Sequence, residues 1–418
     1  MCRPTLAAVE DIRQHGITKR IRMIYRPLVL CVALPFLISG CASSGVAATD
    51  LAPIVERDGV PFDGSAIPDE ALLYLADYPV VVIGETHLIR EQREFTAAVL
   101  EGLWAHGNRQ LLLEWPHMAD WIVSEYVVDG DFTPGWWSPP TWLYGDLLGE
   151  IRDFNRGLAV GERIDVRGID INLDNYGGAD VFLKSLGDLS QLLPSSGPVD
   201  LFLDRPYDTP DAQMAALESL QAELTADSDR LISSWGQPWY ERVTEMVEIE
   251  LGSVPIRAIW DDDPDQAARL REQIMKQLAD ARLAGYQHGS VVNVGGNHAQ
   301  KKRLKGTNHE WLGDYLVHTS TAPGGPVISV VVVAARLTTD YQTDIPDWAM
   351  SDSSPANELF QIISETWPGR TVFLPFADPF FNESDVAMNF EDTIHVSSPK
   401  SHYDAAVLLP LAHRIPIP

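Results

Sequence analysis

Apolar positions along the chain follow a recurring order: a short run of Val, Ile or Leu, a polar break, then a stretch with helical spacing. Pro79-Val80-Val81-Val82-Ile83-Gly84 is a continuous, largely β-branched run, as expected of a strand buried on both faces. From Leu88 to Ala105 the spacing turns helical, with Phe95, Val99, Leu100, Leu103 and Trp104 on one side and Arg90, Glu91 and Arg93 elsewhere. Gly107-Asn108 closes that helix. Leu111-Leu112-Leu113-Glu114-Trp115 reads as the next buried strand. Strand, helix and strand in so short a span make a βαβ unit, whose two strands run parallel.

The same alternation continues. Strands are predicted at Asp165–Asp170, Ser290–Gly295, Val327–Ala335 and Thr371–Phe376, with an edge strand at Asp404–Leu409. Helices are predicted around Leu147–Leu158, Gln266–Leu283 and Glu358–Trp367, and helices dominate 176–285. The pattern therefore predicts an α/β fold: a mostly parallel β-sheet flanked by helices, with a helical insertion. Phe132, Trp136, Trp137, Trp142 and Tyr144 lie among Pro134, Pro139 and Pro140. Proline at that density blocks a regular element. Segment 132–144 is thus an aromatic loop, either a lid pinned onto the core or a wall for an apolar or planar ligand.

The first 40 residues have a different order. Lys19, Arg20, Arg22 and Arg26 precede the apolar run Leu28–Leu37, and Ile38-Ser39-Gly40-Cys41 closes it. A run of about 10 apolar residues is short for a bilayer, and basic–apolar–small order marks a secretory signal. Its end resembles a bacterial lipobox, which implies cleavage before Cys41 and lipidation of its thiol. Residues 1–40 then form the signal peptide, with Met23 as an alternative start, 41–66 a tether, and 67–418 a single domain. Ala42, where Asp resembles an inner-membrane retention signal, points to an outer-membrane lipoprotein facing the periplasm. The membrane is met through the lipid anchor only. A bare signal peptide or a short membrane anchor is the alternative.

Composition narrows the chemistry. The 418 residues are 45% hydrophobic and 22% charged, with 31 Lys and Arg against 59 Asp and Glu, a net charge of −28. Such a surface repels nucleic acid. The only cysteines are Cys2, Cys31 and Cys41, so the body has no disulfide framework, thiolate metal site or cysteine nucleophile. HExxH, G-x-S-x-G, Walker A and G-x-G-x-x-G motifs are absent as well.

What remains stands at the strand ends, where ligands of open α/β sheets bind. The first strand is followed by Gly84-Glu85-Thr86-His87, the second ends in Glu114, the third in Asp170, and the fourth is followed by Gly295-Gly296-Asn297-His298. A single buried acid or imidazole is usually structural; four at matched positions point to a site. These motifs, with Arg271-Glu272-Gln273-Ile274-Met275 ahead of the second His motif and Tyr403-Asp404-Ala405 near the end, resemble the Tiki/TraB/ChaN/erythromycin-esterase superfamily. Two residues between Gly84 and His87, together with the lipobox, are most similar to ChaN-like haem-uptake lipoproteins.

The resemblance implies two classes of function. In the first, a hydrolase of ester or peptide bonds uses His87, Glu114, His298, Glu85 and Asp170. It works either through a divalent first-row transition metal held by His87, Glu114 and His298, or without metal through one His as general base. In the second, the same edge holds haem for uptake without catalysis, with His87 or His298, or else Tyr144 or His117, as axial ligand. The absence of C-x-x-C-H excludes covalent haem. A structural lipoprotein with a decayed site is the third option. The ligand is then a small molecule, a peptide or haem. Among the other histidines, His106, His288, His318, His395 and His413 read as surface or structural, and His309 and His402 are within reach of the pocket.

Overall fold

The computed structural model describes residues 48–63, 66–128, 145–173, 178–195, 197–205, 209–303, 309–334, 337–338, 358–383, 388–390, 394–396, 399–413 and 415. All belong to the compact unit Val46–Pro418. The signal peptide with Cys41, and loop 132–144 with Tyr144, lie outside the described residues.

One eight-stranded sheet organises this unit. Its strands are β1 (Val60–Phe62), β2 (Val80–Glu85), β3 (Asn108–Pro116), β4 (Asp165–Asp170), β5 (Gly289–Gly295), β6 (Val327–Ala334), β7 (Thr371–Pro375) and β8 (Ala405–Leu409). In space they run β1-β7-β8-β6-β2-β5-β3-β4. The six from β8 to β4 are parallel, whereas β7 is antiparallel to β8 and β1 to β7. The predicted α/β class with a mostly parallel sheet is what the chain adopts. The last strand is a correction. Ala405–Leu409 lies between β6 and β7 with all five residues buried, so it is an inner strand; an unbroken apolar run fits that place better than an edge.

Alternation along β2 shows why the sheet is covered twice. Val81 and Ile83 pack with Leu111, Leu113, Phe95 and Val99 on one face. Val80 and Val82 pack with Leu112, Val292 and Met275 on the other. Because side chains alternate at period two, each face needs its own layer of helices. Helix Arg90–Trp104 covers the first face, and Pro264–Leu283 the second.

A second correction concerns the tether. Helix Ala48–Asp58 and β1 both fall inside 41–66. Leu51 and Val55, one helical turn apart, are fully buried in the core with Ile362 and Ile363, and Val60–Phe62 pairs with Thr371–Phe373. Two apolar residues at i, i+4 suffice to dock a helix, so this part of the expected tether belongs to the folded body.

The predicted helical insertion is present as helices Gly178–Leu192, Pro198–Leu203, Pro210–Ala226, Ser228–Trp235, Gln237–Ile259 and Pro264–Leu283. The last starts at an N-cap, the Asp263 carboxylate accepting from Gln266 N–H at 3.0 Å, with Pro264 behind it. It returns the chain to β5 and carries Arg271 and Glu272 to the carboxyl edge of the sheet.

Candidate active site

Neighbouring strands β4, β3, β5 and β2 end together. Glu85 pairs in register with Gly295, and Pro116 with Asp170 after an irregularity that begins at Leu113. Parallel strands thereby line up Asp170, Glu114, Gly295 and Glu85 along one edge, and the turns after β2 and β5 add His87 and His298. This is also where the connections diverge: β2 leads toward β3 on one side, and β5 crosses to β6 on the other. Such a switch point leaves a crevice.

Glu114 sits at the centre and is almost fully buried, 3% exposed. Its Oε2 accepts from the Gly295 backbone N–H at 2.6 Å, and its Oε1 from Arg271 Nη2. Arg271 also forks onto Asp170, with Nε–Oδ1 at 2.8 Å and Nη2–Oδ2 at 2.7 Å. That two-pronged geometry is the guanidinium's particular strength. Asp170 is therefore a buried anchor for Arg271.

Both imidazoles are gripped from behind. His87 Nδ1 meets Glu85 Oε1 at 3.0 Å, and Glu85 Oε2 accepts from Asn293 Nδ2 at 2.7 Å. Thr96 Oγ1 donates in turn to Asn293 Oδ1 at 2.9 Å. His298 Nδ1 meets Glu272 Oε2 at 2.6 Å, and Glu272 Oε1 accepts from the Leu312 N–H. With each Nδ1 engaged, each Nε2 turns toward Glu114, at 4.0 Å for His87 and 3.4 Å for His298. The first is beyond hydrogen-bond range and the second is a long hydrogen bond, so His87 Nε2 is open to a ligand and His298 Nε2 is loosely held. The His87 side chain is 37% exposed and that of His298 11%. His87 is the accessible one.

Glycine at 295 is part of this arrangement. A methyl group there would stand 2.9 Å from His87 Nε2 and 3.3 Å from Glu114 Oε2, closer than atoms pack. The Trp311 ring meets His298 edge-on at 5.4 Å, and His309 stacks on Trp311 at 4.5 Å.

Two carboxylates, Glu114 and Asp170, share the Arg271 guanidinium, and two more, Glu85 and Glu272, stand against the imidazoles. Unit charges about 4 Å apart interact by on the order of 4 kcal/mol at an effective dielectric near 20, so the imidazoles favour their charged forms. Burial pulls His87 down, but Glu114 and then Glu85 hold it up to about 9. Burial likewise opposes the charge on His298, and Glu272 and Glu114 outweigh it, holding His298 up to about 10. Glu114 is pushed up by burial, yet His298, Arg271 and His87 keep it well below the usual carboxylate range.

The structure places Glu85, His87, Glu114, Asp170 and His298 in one linked cluster at the sheet edge. It arranges the expected metal ligands His87, Glu114 and His298 as ionic and hydrogen-bonding partners. Among the described residues, no group of three His, Cys, Asp or Glu is arranged to hold a metal. Glu114 accepts one N–H on each oxygen, from a guanidinium and from a backbone amide. His117 lies apart from the edge cluster in its contacts, buried with its Nε2 3.2 Å from both Arg282 Nη2 and Glu245 Oε2. His402 is likewise engaged elsewhere, with Gln300. Arg271, Glu272 and Asn293 were not among the predicted site residues. Asn293 was visible as a lone polar residue inside a β-branched strand, and Arg271-Glu272 as a motif with no assigned task.

No protein-family profile matches the chain, and no curated protein does. Its fold recurs in solved structures. A Bacillus cereus protein shares 15% identity and a TM-score of 0.63 over 89% of this chain and 100% of that one. An erythromycin esterase mutant in its open conformation shares 16% and 0.60 over 83% and 94%. A succinoglycan biosynthesis protein shares 12% and 0.63 over 90% and 100%. At such identities the likeness is one of fold.

Proposed function

We propose that the chain is a metal-independent hydrolase of carboxylic esters, with His87 as general base and His298 as its protonated partner. The observation that carries this reading is the pair of carboxylate–imidazole dyads, Glu85–His87 and Glu272–His298, whose Nε2 atoms converge on one buried carboxylate. Glu114, held so far below the carboxylate range, is a poor base. Its task is to keep the imidazoles turned inward. Neutral His87 Nε2 takes a proton from water as the water oxygen attacks the acyl carbon. Protonated His298 donates through Nε2–H to the carbonyl oxygen as it becomes an oxyanion. The proton on His87 then passes to the departing alkoxide, which leaves acid, alcohol and the starting protonation state. The esterase among the structures that share the fold is consistent with this chemistry.

The test is turnover of a panel of small esters by purified protein in EDTA, with thermal melts of the same samples. His87→Ala should lose at least about a hundredfold in kcat/KM, within the range general bases supply, and Glu114→Gln a comparable amount. Turnover that needs added metal, or that survives in His87→Ala, contradicts the reading. As for location, the basic–apolar–lipobox order supports a lipid anchor on Cys41 in the cell envelope. Cys41→Ser should move the protein from the membrane to the soluble fraction; retention in the membrane would favour an uncleaved anchor.

A further inference from the structure

The turn that carries His87 adopts a conformation its own residues disfavour. Leu88, the next residue, has φ of 66°, in the left-handed region where a side chain costs roughly 1–2 kcal/mol. Leu88 is also buried. Such conformations persist where the surroundings over-determine them, and here part of those surroundings comes from more than 300 residues away. The Ile415 N–H donates to the Leu88 carbonyl at 2.8 Å. The His413 N–H donates to Glu91 Oε2 at 2.7 Å, and His413 Nδ1 meets Glu91 Oε1. Glu91 stands in the first turn of helix Arg90–Trp104, which starts just behind the His87 turn. The far segment is itself fixed: Ala412 is fully buried, Ile415 is buried, and Ala412–His413 pairs in parallel with Leu337–Thr338.

We propose that residues 412, 413 and 415 act as a strap that positions His87, with Glu91, His413 and Ile415 as positioning residues acting through the Leu88 turn. The strap holds the chain at Leu88 and at Glu91, directly after the His87 ring that meets Glu85. Without it Leu88 relaxes toward an ordinary backbone conformation, the chain leaves His87 in another direction, and the 3.0 Å contact between Nδ1 and Glu85 opens. Displacement by about 1 Å is enough to cost on the order of a hundredfold in rate.

The assignment of His87 as base belongs to the proposed function, so the strap is tested by two readouts, only one of which uses activity. The full chain is compared with Glu91→Ala, Glu91→Gln and Ile415→Pro; the last removes the N–H that reaches Leu88 and a buried apolar side chain, and fixes φ at 415. In Glu91→Ala and Ile415→Pro, kcat for ester hydrolysis should fall about 10- to 100-fold with KM unchanged. Glu91→Gln, which keeps an acceptor for the His413 N–H, should recover most of the loss. Nitrogen-15 shifts of the His87 ring, read above its titration, should show the Nδ1–H tautomer in wild type and a mixture of tautomers in the two disrupted variants. Ile415→Pro keeps the test open if Glu91→Ala does not fold. Wild-type kcat and tautomer in a folded Ile415→Pro or Glu91→Ala overturn the strap, as does failure of both to fold, which would make the segment a folding element. If wild type hydrolyses no ester, the proposed function fails and the ring shifts still decide the strap.

Discussion

Arg271 is the cation on which the buried edge of the site depends. Its guanidinium holds Glu114 and Asp170 together, carboxylates that are 3% and 0% exposed. Removing one partner of such a group leaves uncompensated buried charge, a loss of about 3–5 kcal/mol. Arg271→Met should therefore lower the free energy of unfolding by that amount, measured by denaturant melts near pH 7. Arg271→Lys should recover only part of it, because a single ammonium cannot reproduce the fork on Asp170. A melt of Arg271→Met that matches wild type would mean the two acids do not need the cation. The histidines differ in the same residue-level terms. His298 is enclosed by Glu272 and Glu114 and nearly buried, whereas His87 leaves more than a third of its side chain to solvent, which screens its partners. The inner ring thus holds its proton longer than the outer one.

At the scale of elements, the strands were the most legible feature. Runs such as Val80–Ile83 and Val291–Val294 cannot be amphipathic helices, and burial on both faces explains their continuity. Because such strands are parallel, the residues after them fall on one edge, and that is how Glu85, His87, Glu114, Asp170 and His298 could be grouped from sequence. The order of strands was not legible. Nothing local says that β5 inserts between β2 and β3, since that pairing joins residues about 200 apart through backbone hydrogen bonds that carry no sequence signature. The supporting residues were hidden for a related reason. Glu272 and Arg271 stood out only as part of a motif, and their task appears when their helix is laid across the strand ends. Glu91 and His413 look like solvent-facing charges until the fold brings them together. Ala405–Leu409 shows the opposite failure: its neighbours on both sides come from distant segments, so a short run looked like an edge.

The whole molecule is strongly acidic, with a net charge of −28, and its candidate site sets two imidazoles among carboxylates. The adjacent Glu85, Glu114 and Glu272 raise the affinity of the imidazoles for protons, which makes pH the variable that separates their roles. The central claim is that the accessible His87 acts as base while the enclosed His298 stays charged. The kcat/KM of ester hydrolysis against pH, measured in EDTA from pH 6 to 11, tests it most directly. Activity requires His87 to have lost its proton and His298 to have kept its own. With His87 held up to about 9 and His298 to about 10, the profile should climb through the first value, peak between the two and fall through the second. A profile already on its plateau at pH 7, or one still rising beyond pH 10, would contradict that division of labour.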